Sequence, residues 1–220
     1  MDAYQQLIAT LSLTMGVAWA SGINLYATIA MLGILGSNGN ITLPDSLLVV
    51  QDPLVIIAAC VMYCVEFFAD KTPGVDSGWD VIHSFIRIPA GVILAAGAVG
   101  DVSPAMVVAA GILGGTVTAT AHMIKAGSRV LINTSPEPFS NWAASLGEDV
   151  TGFAGLWAAL HYPIAFLVGF VLFGLLAIWL LPKIWRGLRQ LFARLAQLFA
   201  TPSARSDAAK PPPPQRLDKP

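Results

Sequence analysis

Long apolar runs separated by short polar loops cover most of the chain up to residue 181. A membrane-spanning helix needs about 20 consecutive, mainly apolar residues, and several of these runs approach or exceed that length. The runs occupy residues 7–36, 53–70, 79–100, 102–124, 142–160 and 164–181. This pattern predicts an all-α, polytopic membrane bundle of about six spans, formed by residues 1–182.

The first run, from Leu7 to Gly36, is longer than one span requires. It is either a single tilted helix or a helix broken at residues 21–24, because Gly and Asn tolerate non-helical backbone there. The sequence leaves both alternatives open. No Lys or Arg precedes the run and no cleavage pattern of small residues follows it, so the sequence predicts a retained helix rather than a signal peptide.

Composition supports the membrane assignment. Of the 220 residues, 55% are hydrophobic and only 11% are charged, whereas a soluble domain carries about 25% charged residues. The lipid bilayer is therefore the expected partner, and a homo-oligomer is compatible with the sequence. The formal net charge is −1, so no basic field indicates nucleic-acid binding.

A short motif with the order Thr, Pro, turn residues, Ser, Gly or Asn, and Trp occurs twice. The copies occupy residues 71–79 and 133–142, and their shared positions include Pro73 and Trp79, and Pro136 and Trp142. The spacing predicts two repeated helical hairpins, residues 53–100 and 104–160, an organisation found in transporters with sites at the repeat interface. A chance match between two short loops is the alternative.

Most charged residues within the apolar runs lie close to these motifs and follow helical spacing. Residues three, four or seven positions apart share one helix face, so four helices each present a narrow polar stripe at the same end of the bundle. The candidate binding residues are Glu66, Asp70, Lys71, Asp80, His83, Arg87, His122, Lys125, Arg129, Asn141, Glu148 and Asp149. Unpaired buried charges are costly, so we expect cations to pair with carboxylates, with Glu148 as the partner of Arg87.

The stripes have three interpretations that the sequence leaves open. They form a functional cavity for an ion, a proton or an anionic headgroup, a structural ion-pair network, or a set of side chains that extend to the membrane surface. His83 and His122 are conceivable metal ligands with Asp80 or Glu66, but the spacing typical of a metal site is missing. Satisfied histidines are the favoured interpretation, and no metal or other cofactor is predicted.

The segment after the last run is basic and amphipathic. Over residues 183–200, four cations, Lys183, Arg186, Arg189 and Arg194, interleave with aliphatic residues. This pattern is typical of a helix lying in the membrane interface, so anionic lipid headgroups are the expected partner of residues 183–199. Residues 201–220 are rich in proline and are predicted to form a disordered tail.

Three stretches carry a resemblance to a known family. They are GINLYA at residues 22–27, EFFADK at residues 66–71 and SPEPFSN at residues 135–141. They resemble hallmark sequences of an uncharacterised family of bacterial integral membrane proteins, catalogued as a domain of unknown function. The resemblance implies a compact bacterial membrane protein with several spans, and it implies no activity or ligand.

The distribution of Lys and Arg predicts the orientation. Six spans would place both motifs and the basic C-terminal segment on one side, whereas the loops near residues 37–52, 100–104 and 160–163 contain no Lys or Arg. Positively charged flanks remain in the cytoplasm. We therefore expect a multi-pass protein of the bacterial inner membrane with both termini in the cytoplasm.

The favoured function is transport or translocation of a small ion, an anionic lipid or a metabolite through a charged cavity between the two hairpins, open to the cytoplasm. The alternative is a membrane scaffold or assembly factor whose ion-pair network is structural. An enzyme acting on lipid phosphate is a third hypothesis. It is disfavoured because the sequence contains no nucleophile elbow, metal-binding helix motif or phosphate-binding glycine loop.

Overall fold

Helices form all the regular secondary structure in the described part of the chain, residues 2–134 and 138–199 of a computed structural model. The elements, in order, are α1 (Ala3–Ile23), α2 (Leu25–Ser37), a 3-10 helix (Asp45–Gln51), α3 (Pro53–Ala69), α4 (Val75–Ala98), α5 (Pro104–Ile132), α6 (Pro138–His161) and α7 (Pro163–Phe199). The all-α prediction is confirmed.

Four of the described helices, α1, α4, α5 and α7, are long and apolar enough to cross a membrane. The 3-10 helix and α3 bend by 65° where they meet and would add a fifth span if they act as one. The chain is therefore a multi-pass membrane protein. The predicted count of about six spans is compatible with these helices and stays a prediction.

Asn24 interrupts the first apolar run. Its backbone is extended (φ −149°, ψ 102°), and it ends α1 and begins α2. Its Oδ1 accepts a hydrogen bond from the Ala27 amide (2.9 Å). This bond replaces the backbone acceptor that the amide would have in an unbroken helix. Of the two alternatives for this run, the broken helix is the one observed.

α1 enters the bundle from the end opposite the motifs. Near the middle of α1, Ser12 Oγ donates to the Ala159 carbonyl (2.8 Å), close to the end of α6. At the end of α1, the Ile23 carbonyl accepts from Lys125 Nζ (3.1 Å), in the last third of α5. α1 therefore runs parallel to α5 and points toward the motif end, which we define as the end where α3 and α5 finish and α4 and α6 begin.

α2 returns toward the end from which α1 came. Near its C-terminus, Gly33 lies against Val50 and Ile56, at the junction of the 3-10 helix and α3. This junction is remote from the motif end, because Ser46 Oγ donates to the Gly97 carbonyl (2.6 Å) near the end of α4. α1 and α2 thus form a helical hairpin whose tip, Asn24, lies inside the bundle.

This hairpin corrects the predicted topology. α7 runs parallel to α5, because Ile184 packs against Gly127 and Gly187 packs against Leu131. The later part of α7 therefore lies at the motif end, whereas α1 starts at the opposite end. The prediction that both termini share one side assumed that residues 7–36 cross the bundle once, which the hairpin contradicts. The C-terminus itself lies outside the described residues.

Small residues let α1 approach α5 closely and so set the depth of the hairpin tip. A Cβ at Gly22 would lie 2.5 Å from the Thr118 carbonyl oxygen and 2.7 Å from Ala121 Cβ. Thr118 Oγ1 also donates to the Ala18 carbonyl (2.8 Å). Close backbone approach of this kind is a main source of helix association in lipid, where the hydrophobic effect contributes little.

The two motifs occupy equivalent places at helix starts. Trp79 is the fifth residue of α4 and Trp142 the fifth of α6. The second half of each motif is therefore helical, and α4 begins four residues before the predicted start at Trp79. Pro73 lies in the turn before α4, and Pro136 lies outside the described residues. The repeat is compatible with these boundaries and stays a prediction.

A single helix, α7, contains both the last predicted span and the start of the basic segment. Pro182 lies inside this helix. Ile184 is buried against α5, whereas Trp185 and Phe192 are exposed. The helix therefore continues through the boundary predicted at residue 183, and the turn that contains Ile184 packs on α5. The predicted tail over residues 201–220 lies outside the described residues.

The hairpin predicts which residues share a side of the membrane. In a Cys60→Ser/Cys64→Ser background, single cysteines replacing the exposed Gln6 and Asn38 should react with a membrane-impermeant thiol reagent from the same side. A cysteine replacing Thr72, which is exposed at the motif end, should react from the other side. Labelling of positions 6 and 72 from one side would contradict the hairpin.

Candidate functional site

Every Lys and Arg that precedes residue 183 is buried in one cluster near the motif end. These four cations are Lys71, Arg87, Lys125 and Arg129. Arg87 and Arg129 have no exposed surface. The interpretation in which the charges extend to the membrane surface is therefore wrong for these residues. We call the four cations and their carboxylate partners the charge network.

Arg87 connects α3, α4 and α5. Its Nη2 forms an ion pair with Glu66 Oε1, and its Nη1 lies 3.2 Å from Asp80 Oδ1. Its Nη1 also lies 3.2 Å from His122 Nδ1 on α5. The expected pairing of Arg87 with Glu148 is wrong, because Glu148 pairs with Arg129 instead. Helical spacing identifies which residues share a face, but not which helices become neighbours.

Lys125 lies at the tip of the α1–α2 hairpin. Its Nζ donates to the Ile23 carbonyl (3.1 Å), to Glu66 Oε1 (3.3 Å) and to Asp70 Oδ2 (2.6 Å). The Ile23 carbonyl has no partner within α1, because the helix ends there. An ammonium group has three donors, so these three acceptors use its whole capacity.

Arg129 holds the motif end together from α5. Its Nη2 and Nε donate to the two Glu148 oxygens (2.5 and 3.2 Å). Its Nη1 donates to the Asp70 carbonyl (2.6 Å) and to Asn141 Oδ1 (2.5 Å). The planar guanidinium thus binds one carboxylate in the bidentate manner typical of Arg and joins the end of α3 to α6.

Lys71 joins the turn after α3 to α6. Its Nζ lies 3.2 Å from Ser145 Oγ and 3.6 Å from Asp149 Oδ2. The ammonium also lies 3.0 Å from the centre of the Phe67 ring, a cation–π contact. This turn of the first motif is therefore fixed to α6 by a buried cation.

The two histidines are satisfied by hydrogen bonds. Arg87 has only donors, so His122 Nδ1 accepts from it, and His122 Nε2 then donates to Ser84 Oγ (2.7 Å). His83 Nδ1 donates to the Trp79 carbonyl (2.9 Å), and its Nε2 lies 3.1 Å from the Tyr26 hydroxyl. Within residues 2–134 and 138–199, no group of three His, Cys, Asp or Glu has the arrangement of a metal site.

Asp76 and Asn133 form a link between the two motifs that the sequence analysis missed. Asp76 Oδ1 accepts from the Gly74 and Ser77 amides at the start of α4 (2.9 and 2.6 Å). Asn133 Nδ2, at the end of α5, donates to both Asp76 oxygens (2.8 and 3.0 Å). The available signal was the position of Asp76 in the first turn of a helix, where carboxylates are favoured.

The structure brings all twelve candidate residues together. Besides the ion pairs, Asn141 and Ser145 are buried within the charge network, as are His83 and His122. The structure adds Asp76 and Asn133, and it adds Asn24 and Tyr26 from the hairpin tip. Asn24 was noted only as a place where the helix could break, because a lone Asn in an apolar run does not reveal its neighbours.

One cavity borders the charge network between α1, α5, α6 and α7. It has a volume of about 350 Å³, and Lys125 and Glu148 form part of its lining. Apolar residues such as Trp19, Ile124 and Phe173 supply much of the remaining wall. Of the four cations, Lys125 alone contributes to this lining, so the cavity borders one edge of the network.

These features define an all-helical, multi-pass membrane protein with a buried charge network at the tip of a broken helix. The family model described as "Domain of unknown function (DUF4126)" matches residues 11–183, more than half of the chain, and the protein belongs to this family. The resemblance noted in the sequence is therefore confirmed. No curated protein matches the chain, and no solved structure matches it.

The burial of Arg87 predicts a large effect on stability. Arg87→Ala would leave Glu66 and Asp80 without their guanidinium partner, and breaking a buried ion pair costs about 3–5 kcal/mol. Denaturant unfolding of the purified protein in detergent measures this loss. The control is Arg186→Ala, which removes an exposed guanidinium and should change stability by less than about 0.5 kcal/mol. Equal stability of the two variants would contradict the role assigned to Arg87.

Proposed function

We propose that the protein transports or translocates a small ion, an anionic lipid or a metabolite, and that the charge network is its site. The observation that carries this proposal is the hairpin tip, where the last carbonyl of the broken helix binds Lys125. Discontinuous helices whose ends meet ions or substrates are typical of transporters. Ionisable residues inside a membrane are costly and usually mark such pathways.

The charge balance of the network also supports the proposal. Six buried or largely buried carboxylates accompany the four cations, and they are Glu66, Asp70, Asp76, Asp80, Glu148 and Asp149. A network that only joins helices needs no more carboxylates than cations. The surplus favours a site that handles ions or protons. The cavity beside Lys125 and Glu148 offers a route to it.

A scaffold or assembly factor is the second candidate, and one observation favours it. Each of the four cations already has a carboxylate partner within 4.0 Å, so the network can stabilise helix packing with no ligand at all. The two candidates differ in whether it matters which position of an ion pair carries the cation and which carries the carboxylate. A scaffold needs only the attraction, whereas a transported charge responds to the field that each residue sets.

For localisation, we propose the bacterial inner membrane with the motif end facing the cytoplasm. The first cation in the chain is Lys71, so the start of α1 and the loops before α3 carry no Lys or Arg. The basic part of α7 follows Ile184, which packs near the end of α5. Positive flanks remain in the cytoplasm, which would leave the start of α1 on the opposite side.

We also propose that α7 binds an anionic phospholipid. A groove of about 340 Å³ between α4, α5 and α7 is lined by apolar side chains that include Met123, Trp185 and Phe192. Arg189 follows Trp185 by four positions and precedes Phe192 by three, so it lies on the same helix face as these two residues of the groove. A headgroup bound at Arg189 would place an acyl chain in the groove, and surface cations each attract anionic lipids by about 1 kcal/mol.

Proteoliposomes test the transport proposal. Two assays cover the proposed substrate classes. Trapped dyes report the loss of NaCl, KCl or potassium phosphate gradients, and quenching reports the movement of a fluorescent anionic lipid across the bilayer. We expect the wild-type protein to dissipate at least one gradient or to move the lipid. The exchanged pair Lys71→Asp/Asp149→Lys should fold but lose this activity, because the two side chains still attract each other while the field at the site is rearranged.

The control for this experiment is Arg186→Gln, which should keep full activity because its side chain is exposed outside the network. Absence of activity with every probe in a folded wild-type protein would contradict transport. If the exchanged pair then replaced the wild-type protein in cells without any defect, the scaffold would be favoured, since attraction between the two side chains would be enough for its role.

The lipid proposal predicts selective retention of phosphatidylglycerol over phosphatidylcholine. Ala126→Phe fills the groove and Arg189→Glu reverses its charge, so each should reduce the number of phosphatidylglycerol molecules retained, as counted by native mass spectrometry. Gly174→Phe is the matched control, because a side chain at Gly174 meets no neighbouring atom. Equal retention by all three variants would contradict the proposed lipid site.

A further inference from the structure

The inner part of the charge network contains one carboxylate more than it has cations. Glu66, Asp70 and Asp80 surround Arg87 and Lys125, and each of these five side chains is at most 3% exposed. Two cations balance two of the three carboxylates. The third therefore has no counter-charge of its own within this buried group.

Asp80 has the weakest set of partners among the three. Its Oδ1 lies 3.2 Å from Arg87 Nη1, which also faces His122, and 4.0 Å from Lys125 Nζ. Each of the three carboxylates has one buried oxygen without a hydrogen-bond partner among the described residues, Oδ2 in Asp80, so the difference lies in the contacts of the other oxygen. The donors of Lys125 are already used by Ile23, Glu66 and Asp70, so none remains for Asp80.

The residues around this group do not supply the missing positive charge. Arg129 lies 4.0 Å from Asp70 Oδ2, but it binds both oxygens of Glu148 and lies 3.8 Å from Asp76. Lys71 faces Asp149. The remaining titratable groups that face the network are His83 on α4, His122 on α5, Tyr26 on α2 and Tyr63 on α3. α1 contributes only the Ile23 carbonyl.

We infer that Asp80 is the carboxylate of this group that takes up a proton, and that this proton is the ion which the network binds and exchanges. A buried carboxylate without a counter-ion is costly, and such a group takes up a proton instead. The proton makes Oδ2 a donor and leaves Oδ1 as the acceptor of the Arg87 hydrogen bond. The inner group then has no net charge.

The use of this proton in transport rests on the proposed function, whereas its presence on Asp80 does not. The cavity next to Lys125 and Glu148 gives the route by which it would exchange, since Glu148 is the most exposed carboxylate of the ion pairs, at 22%. A protonated Asp80 is attracted less strongly to Arg87 and Lys125 than an ionised Asp80. Release of the proton would therefore strengthen this attraction. The network therefore has two charge states that differ at one atom.

Infrared spectroscopy of the full-length protein in liposomes, recorded from mildly acidic to neutral pH, tests the inference. A protonated carboxylic acid has its own C=O stretching band, which shifts in D2O. We expect this band to grow in the wild-type protein as the pH is lowered, to be absent in Asp80→Asn and to be retained at a shifted frequency in Asp80→Glu. The matched control is Asp149→Asn, which removes a carboxylate paired with Lys71 and should keep the band.

Absence of the band in the wild-type protein, or its survival in Asp80→Asn, would overturn the inference. If Asp80→Asn does not fold, the wild-type band and its shift in Asp80→Glu decide the question. A band without activity in the proteoliposome assay would keep the proton site and remove the transport proposal. Activity that persists in a folded Asp80→Asn protein would keep transport and remove the coupling to this proton.

Discussion

The structure depends on the requirement that a cation inside an apolar bundle must be surrounded by carboxylates or carbonyls. α5 supplies Lys125 and Arg129, and the groups that satisfy them come from α1, from α3 and the residue that follows it, and from α6. The helices are thus held in one arrangement at the motif end by two side chains of a single helix. Contacts between small residues, as at Gly22 and Thr118, set the distances over which these side chains must reach.

The hairpin tip and the motif end meet at the charge network from opposite directions. α1 and α2 reach it from one end of the bundle, and their tip is fixed by the bond from Lys125 to Ile23. At the other end, Asn133 and Asp76 join the two motifs. Movement of the hairpin along its axis would remove one ligand of Lys125 and change its interaction with Glu66. Lys125 therefore joins the backbone of the hairpin tip to the carboxylates at the motif end.

Helical spacing predicted the composition of the network but not its pairing. The stripes that contain Glu66, Arg87 and Lys125 follow from positions three, four and seven residues apart, and the structure places all three in contact. Which carboxylate meets Arg87 depends on which helices are neighbours, and periodicity within one helix carries no such information. The reversal of the chain at Asn24 could not be predicted either, because a break in a long apolar run does not determine the direction of the helix that follows.

The surplus carboxylate is the feature that separates a site from a scaffold. Pairing of charges would stabilise the bundle equally well if Asp80 were an amide, because Arg87 already has Glu66. An amide would even avoid the cost of burying another ionisable group. An acid at this position adds the ability to bind and release a proton, a property that helix packing does not require. The chemistry of Asp80, more than the number of ion pairs around it, therefore supports the proposal that the network is a functional site.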